Sequence, residues 1–123
     1  MRDFYMQQVT FYHNPRCSKS RESLKMVEDL GITPEIIHYL DTPPTAEELA
    51  LLLKQLGFND ARQLMRTKED LYKELNLADK ALSQETLLKA MAENPKLIER
   101  PIVVAGNQAR LGRPPEQVKE ILG

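Results

Sequence analysis

Apolar positions along this chain change their spacing several times, and each change marks an element. Val9-Thr10-Phe11-Tyr12 is a short β-rich run and predicts a strand. From Ser18 to Leu30 the period lengthens: Leu24, Val27 and Leu30 fall on one helical face, and Gly31 is the stop. Between Pro34 and Leu40, the run Ile36-Ile37-His38-Tyr39-Leu40 predicts a second strand. A helix between two strands makes a βαβ unit, hence parallel strands and a right-handed crossover.

Asp41-Thr42-Pro43-Pro44 breaks the pattern, and the stretch from about 45 to 97 turns helical. Thr45-Ala46-Glu47-Glu48 is a capping box, with Thr45 as N-cap and Glu48 three residues on. Leu49, Leu52, Leu53 and Leu56 form the buried stripe of that helix, and Gly57 ends it. Ala61 to Arg66 and Glu69 to Leu75 predict shorter helical pieces, with Lys68-Glu69-Asp70 and Lys73-Glu74 as a solvated face. Ser83 caps a further helix that turns Leu87, Leu88 and Met91 inward and stops at Asn94-Pro95.

Pro101-Ile102-Val103-Val104-Ala105 predicts a third strand, Gly106-Asn107 a turn, and Ala109-Arg110-Leu111 a returning hairpin strand. Pro114-Pro115 opens a last helix with Val118, Ile121 and Leu122 on its apolar face. The order βαβ, helical insertion, ββα predicts an α/β, thioredoxin-like fold with a mixed four-stranded sheet. It reads as one domain over 1–123 with the insertion at about 45–97.

A length of 123 residues suffices for one domain with its own core. The balance of 41% hydrophobic to 28% charged residues is ordinary for a soluble globular chain. A net charge of −1 gives no global field to hold nucleic acid or an anionic membrane, so neither is an expected partner. No apolar run approaches the roughly 20 residues of a membrane span. Met1-Arg2-Asp3-Phe4-Tyr5-Met6-Gln7-Gln8 lacks the apolar core of a signal peptide. A single cysteine cannot close an intramolecular disulfide, and the simplest expectation is the reducing cytoplasm.

That cysteine, Cys17, falls where the first strand passes into the first helix. A thiol at a helix N-terminus meets unpaired backbone N–H groups and the positive end of the helix dipole, and both favour the nucleophilic thiolate. A lone cysteine is more commonly a small buried hydrophobe. Here the neighbours are polar, basic and turn-forming: Arg16, Lys19 and Arg21 crowd the same residues, so an anion could also bind. The local expectation is a nucleophile acting on an anionic substrate.

Tyr12-His13-Asn14-Pro15-Arg16-Cys17-Ser18-Lys19-Ser20-Arg21 resembles the active-site loop of the glutaredoxin-coupled arsenate reductases, the ArsC family. So do Tyr39-Leu40-Asp41-Thr42-Pro43-Pro44, Arg62-Gln63-Leu64-Met65-Arg66, Glu99-Arg100-Pro101-Ile102-Val103-Val104 and Arg110-Leu111-Gly112-Arg113-Pro114. The resemblance runs from about Val9 to Leu122. It implies that Cys17 is the nucleophile, that Arg66, Arg100 and Arg113 hold the oxyanion, that His13 helps lower the thiol pKa, and that Ser20 hydrogen-bonds the thiolate. It also implies a cis peptide before Pro101. Founding members carry Gly-Thr between the cysteine and the serine, where this chain has Ser18-Lys19. Arg62 and Arg110 read as structural, and His38 is given no role.

The implied reaction is reduction of arsenate to arsenite. Guanidiniums would neutralise the oxyanion before a thiolate attacks it. A single thiol cannot supply both electrons through an internal disulfide, so an external thiol must complete the reaction. The family implies glutathione as reducing cosubstrate and glutaredoxin as partner, with no bound cofactor and no metal.

Other classes stay open. Some relatives of this fold bind RNA polymerase as redox-responsive regulators, but those typically carry Cys-x-x-Cys, where this chain has Ser20 in place of the second thiol. A monothiol glutaredoxin-like protein handling glutathione adducts would want a glutathione groove rather than three arginines. A phosphatase loop of the form Cys-x5-Arg fails because position 23 is Ser23. One Cys and two His offer too few ligands for a metal site.

Overall fold

A computed structural model of the chain describes residues 8–122. Residues 1–7, which include most of the segment read above for a signal peptide, and Gly123 lie outside the described residues. The elements are β1 (Val9–Tyr12), α1 (Ser18–Asp29), β2 (Glu35–Ile37), α2 (Ala46–Leu56), α3 (Asp70–Glu74), α4 (Gln84–Glu93), β3 (Ile102–Ala105), β4 (Gln108–Leu111) and α5 (Lys119–Leu122). Short 3₁₀ turns occupy Ala61–Leu64, Pro95–Leu97 and Pro115–Val118. Residues up to Tyr39 and from Arg100 onward form one compact unit, and Leu40–Glu99 form a second.

The first unit carries the sheet, a mixed four-stranded one in the order β2-β1-β3-β4. β1 runs parallel to β2 and antiparallel to β3, and β3 pairs antiparallel with β4. Alternation along β1 turns Val9 and Phe11 into a core shared with Val103 and Ala105 of β3, Val27 of α1, Val118 and Ile121. The β3–β4 hairpin closes over Gly106-Asn107, with Gly106 at φ 63, the positive value that a glycine at the first position of a tight turn supplies. At its open end Ile102 faces Leu111, and the Gly112 N–H donates to the Pro101 carbonyl at 3.1 Å, extending the pairing one step.

Three elements of this unit depart from the expected pattern. β2 ends at Ile37 rather than running on to Leu40. Tyr12, the last residue of β1, pairs with Ile37, so only the His13 N–H remains to bond the Ile37 carbonyl, at 2.9 Å. In α1 the buried face is Ser20, Ser23 and Val27, while Leu24 is half-buried and Leu30 is 50% exposed beyond the last turn. The face expected to be aliphatic is therefore filled partly by small hydroxyl side chains. The last helix begins as the 3₁₀ turn Pro115–Val118, and only Lys119–Leu122 is α-helical.

The second unit is helical. The Thr45–Glu48 capping box is closed from both sides: the Thr45 N–H donates to Glu48 Oε1 at 2.8 Å, and the Glu48 N–H donates to Thr45 Oγ1 at 3.1 Å. Gly57 takes the left-handed conformation that ends α2, φ 75. Leu49, Leu52 and Leu53 are buried as expected, whereas Leu56 is half-buried. Leu87, Leu88 and Met91 are the buried residues of α4. Where a helical piece over 61–66 is expected, a 3₁₀ turn ends at Leu64, and Met65 instead bridges Ile98. Arg62 clamps this turn, donating from Nε to the Leu77 carbonyl at 2.8 Å, from a terminal nitrogen to the Asp79 carbonyl at 2.7 Å, and pairing with Asp60 at 3.3 Å.

Candidate active site

His13-Asn14-Pro15-Arg16 is a loop wound back on itself. Asn14 Oδ1 accepts from the Arg16 N–H at 3.0 Å, the side-chain turn that asparagine favours, and the Asn14 carbonyl accepts from the Cys17 N–H at 3.0 Å. Arg21 reaches back from α1 to the Pro15 carbonyl at 2.9 Å. Cys17 is thereby held as N-cap of α1 in an extended conformation (φ −97, ψ 123), with its carbonyl accepting from the Arg21 N–H at 3.0 Å.

The Cys17 thiol is half-buried. Burial pushes its pKa up, but hydrogen bonds from the Ser20 and Lys19 backbone N–H groups and the charge and side-chain hydrogen bond of Arg100 outweigh it. The thiol titrates below its ordinary value. The helix N-terminus and a guanidinium therefore act on one sulfur.

His13 is buried, 6% exposed, with its Nδ1 2.7 Å from Ser20 Oγ. Its ring packs edge-on against Phe11, centroids 5.4 Å apart, and lies 5.9 Å from the His38 ring. Burial, then His38 and Arg21, lower the imidazole pKa, and Glu28 opposes them only in part. Its surroundings thus favour the neutral ring over the imidazolium. Ser20 acts through two groups. Its hydroxyl accepts from the Asn14 N–H at 3.0 Å and bonds His13, while its backbone N–H is the group that acts on the sulfur.

The arginines separate. Arg100 is the one that acts on Cys17. Arg113 is exposed and donates to the Arg100 carbonyl at 3.4 Å, a long contact. Arg66 belongs to the second unit, where its guanidinium pairs with Glu69 at 3.0 Å and its N–H donates to the Leu97 carbonyl at 2.7 Å. The Arg100–Pro101 peptide is cis, as the resemblance implies, and so is Arg113–Pro114. Lys19 is exposed, 3.9 Å from Glu22, and Arg16 is exposed as well.

Two residues beside these side chains carry no expected role in the site. Glu69, placed on a solvated face, has a side chain only 24% exposed and carries Arg66; its spacing of three from Arg66 was the available signal. His38 comes beside His13 because the β1–β2 register sets Tyr12 opposite Ile37. Among the described residues no group of three or more His, Cys, Asp or Glu side chains could hold a metal ion, and no helix is long and apolar enough to cross a membrane.

The chain as a whole is similar to known proteins. The sequence pattern of the ArsC family matches residues 12–121. An Escherichia coli (strain K12) protein named "Uncharacterized protein YfgD" is 64% identical over 95% of this chain and 98% of its own length. An arsenate reductase of Haemophilus influenzae is 54% identical over 93% of this chain and 98% of its own. The solved structure of an arsenate reductase from Vibrio cholerae superposes with a TM-score of 0.92 at 62% identity, covering 94% of this chain and 98% of that one.

Proposed function

This chain belongs to the ArsC family, and on that premise we propose that it reduces arsenate to arsenite at Cys17. The observation that carries the reading is the pairing of a thiol held below its ordinary pKa with the Arg100 guanidinium at the start of α1. Arsenate is a tetrahedral anion, and Arg100 and Arg113 of the first unit are the side chains proposed to neutralise and orient it, with Arg66 as the third guanidinium that the family resemblance implies. The Cys17 thiolate attacks arsenic; a sulfur–arsenic bond forms, an arsenic–oxygen bond breaks, and the oxygen leaves as water after protonation.

The electrons come from outside the chain. A glutathione thiolate attacks the Cys17 sulfur of the adduct, and the electron pair of the broken sulfur–arsenic bond stays on arsenic, which leaves as As(III). A second thiol, that of a glutaredoxin, clears the mixed disulfide from Cys17. No cofactor is held in this scheme, and it suits the glutathione-rich cytoplasm. In it His13 and Ser20 act as supports: they fix the loop that carries Cys17, through the Ser20 hydroxyl bonds to His13 and to the Asn14 N–H.

The test is arsenate-dependent NADPH oxidation with glutathione, glutathione reductase and glutaredoxin, run with wild type and Cys17→Ser. Turnover that needs every component and Cys17 is the expected result. Absence of turnover in a protein whose thiol still titrates low would leave the nucleophile and remove arsenate as its substrate.

A further inference from the structure

The segment after β4 approaches α1 more closely than a side chain allows. A Cβ placed on Gly112 would stand 2.7 Å from Pro101 Cγ, 3.1 Å from Ser23 Cβ and nearer still to Ser23 Oγ. Backbone conformation is not the reason for a glycine here, since the positive-φ glycines are Gly31, Gly57 and Gly106. The requirement at Gly112 is space.

What the missing side chain permits is a set of contacts within the unit that holds the thiol. Ser23 lies on the buried face of α1, one turn beyond Ser20, is 0% exposed, and donates to the Gly112 carbonyl at 3.4 Å. The Gly112 N–H donates to the Pro101 carbonyl at 3.1 Å. The helix touched on one side has Cys17 as its N-cap, and the segment touched on the other begins at Arg100. Gly112 is also joined directly to Arg113, whose guanidinium reaches the Arg100 carbonyl.

We propose that Gly112 is a positioning residue: its bare backbone lets Ser23 and Pro101 close on one another, and that closure seats the Arg100 guanidinium against Cys17. The inference concerns the thiol and stands whether or not arsenate is its substrate. A side chain at 112 must push Pro101 away from α1, and Arg100, bonded directly to Pro101, moves with it. A neighbour fixed by backbone and by a helix side chain cannot yield as the tip of a long side chain would.

The experiment is Gly112→Ala in the full chain, with the pH profile of Cys17 alkylation by iodoacetamide as readout and circular dichroism to establish folding. We expect the thiol pKa to rise and alkylation at pH 7 to slow by about threefold or more, as a smaller fraction of the thiol is thiolate. In an Arg100→Ala background Gly112→Ala should slow it no further, because the guanidinium it displaces is gone. A folded Gly112→Ala protein with the wild-type profile overturns the proposal, and so does an equal slowing in the Arg100→Ala background. If Gly112→Ala does not fold, Ser23→Ala/Gly112→Ala, which lacks the nearest clashing atom, is compared with Ser23→Ala. Slower alkylation in the double variant supports the assignment, and equal rates overturn it.

Discussion

Arg66 and Glu69 close an ion pair of 3.0 Å with side chains 28% and 24% exposed, so a guanidinium proposed to meet an oxyanion already carries a carboxylate. An oxyanion that binds Arg66 must displace Glu69 or share the guanidinium with it. Either way the carboxylate opposes anion binding. Glu69→Gln removes that charge while keeping the shape, and the arsenate KM should fall about fivefold, the equivalent of about 1 kcal/mol for a partly exposed pair, with kcat within about twofold. Steady-state kinetics with varied arsenate decide it; an unchanged KM would detach Arg66 from the substrate.

Arg100→Ala should raise the Cys17 pKa toward the ordinary thiol value, because the cation and hydrogen-bond donor that favour the thiolate are lost while the burial that disfavours it remains. Alkylation at pH 7 should slow by about threefold or more, since the thiolate fraction falls as the pKa rises. The pH dependence of the rate reports the shift directly, without arsenate present.

Ser20→Ala separates the two roles of that residue. It removes the acceptor for the Asn14 N–H and the partner of His13 Nδ1 in a fully buried place, and stability should fall by about 1–3 kcal/mol. The Ser20 backbone N–H that acts on the sulfur is retained, so the thiol pKa should move less than in Arg100→Ala. Urea unfolding and the alkylation profile give the two numbers; a larger pKa shift in Ser20→Ala would restore the hydroxyl as the thiolate's donor.

His13 makes stability depend on pH. Its folded pKa lies below the unfolded value of about 6.5, so the unfolded state binds the proton more readily. The stabilisation is therefore whole above that value and is lost as pH falls through it toward the folded pKa. The thermal midpoint should decline on this acid side, and His13→Asn should flatten that part of the curve even if it lowers the curve as a whole. Parallel slopes in the two proteins would assign the decline to other groups.

The sequence carried the outline because its strongest signals are local. The Thr45–Glu48 box needs only residues three apart, and Gly57 and the Gly106-Asn107 turn need only their own backbones, so each is found where its chemistry predicts. What escaped depends on partners distant along the chain. β2 stops at Ile37 because β1 has no residue left to pair, which the apolar run to Leu40 cannot reveal. Leu30 looked like core by spacing, yet the face of α1 that packs includes Ser20 and Ser23. Ser23 meets a glycine 89 residues away. At the site, the residue types could be matched to a family motif, but the lowered pKa of His13 follows first from its burial and then from His38, which the strand register brings beside it.

The β3–β4 hairpin also acts as a ruler. Ile102 faces Leu111, Pro101 bonds Gly112 one step outward, and Arg100 receives Arg113 one step beyond that. The juxtaposition of these two arginines is thus counted from the pairing of the strands and not from the tip at Gly106-Asn107. Extra residues at the tip lengthen the loop and leave the count intact. One extra residue within either strand shifts the register and turns every following side chain to the opposite face, parting Arg113 from Arg100. Variation in length along this hairpin should therefore be tolerated at its closed end and forbidden along its sides.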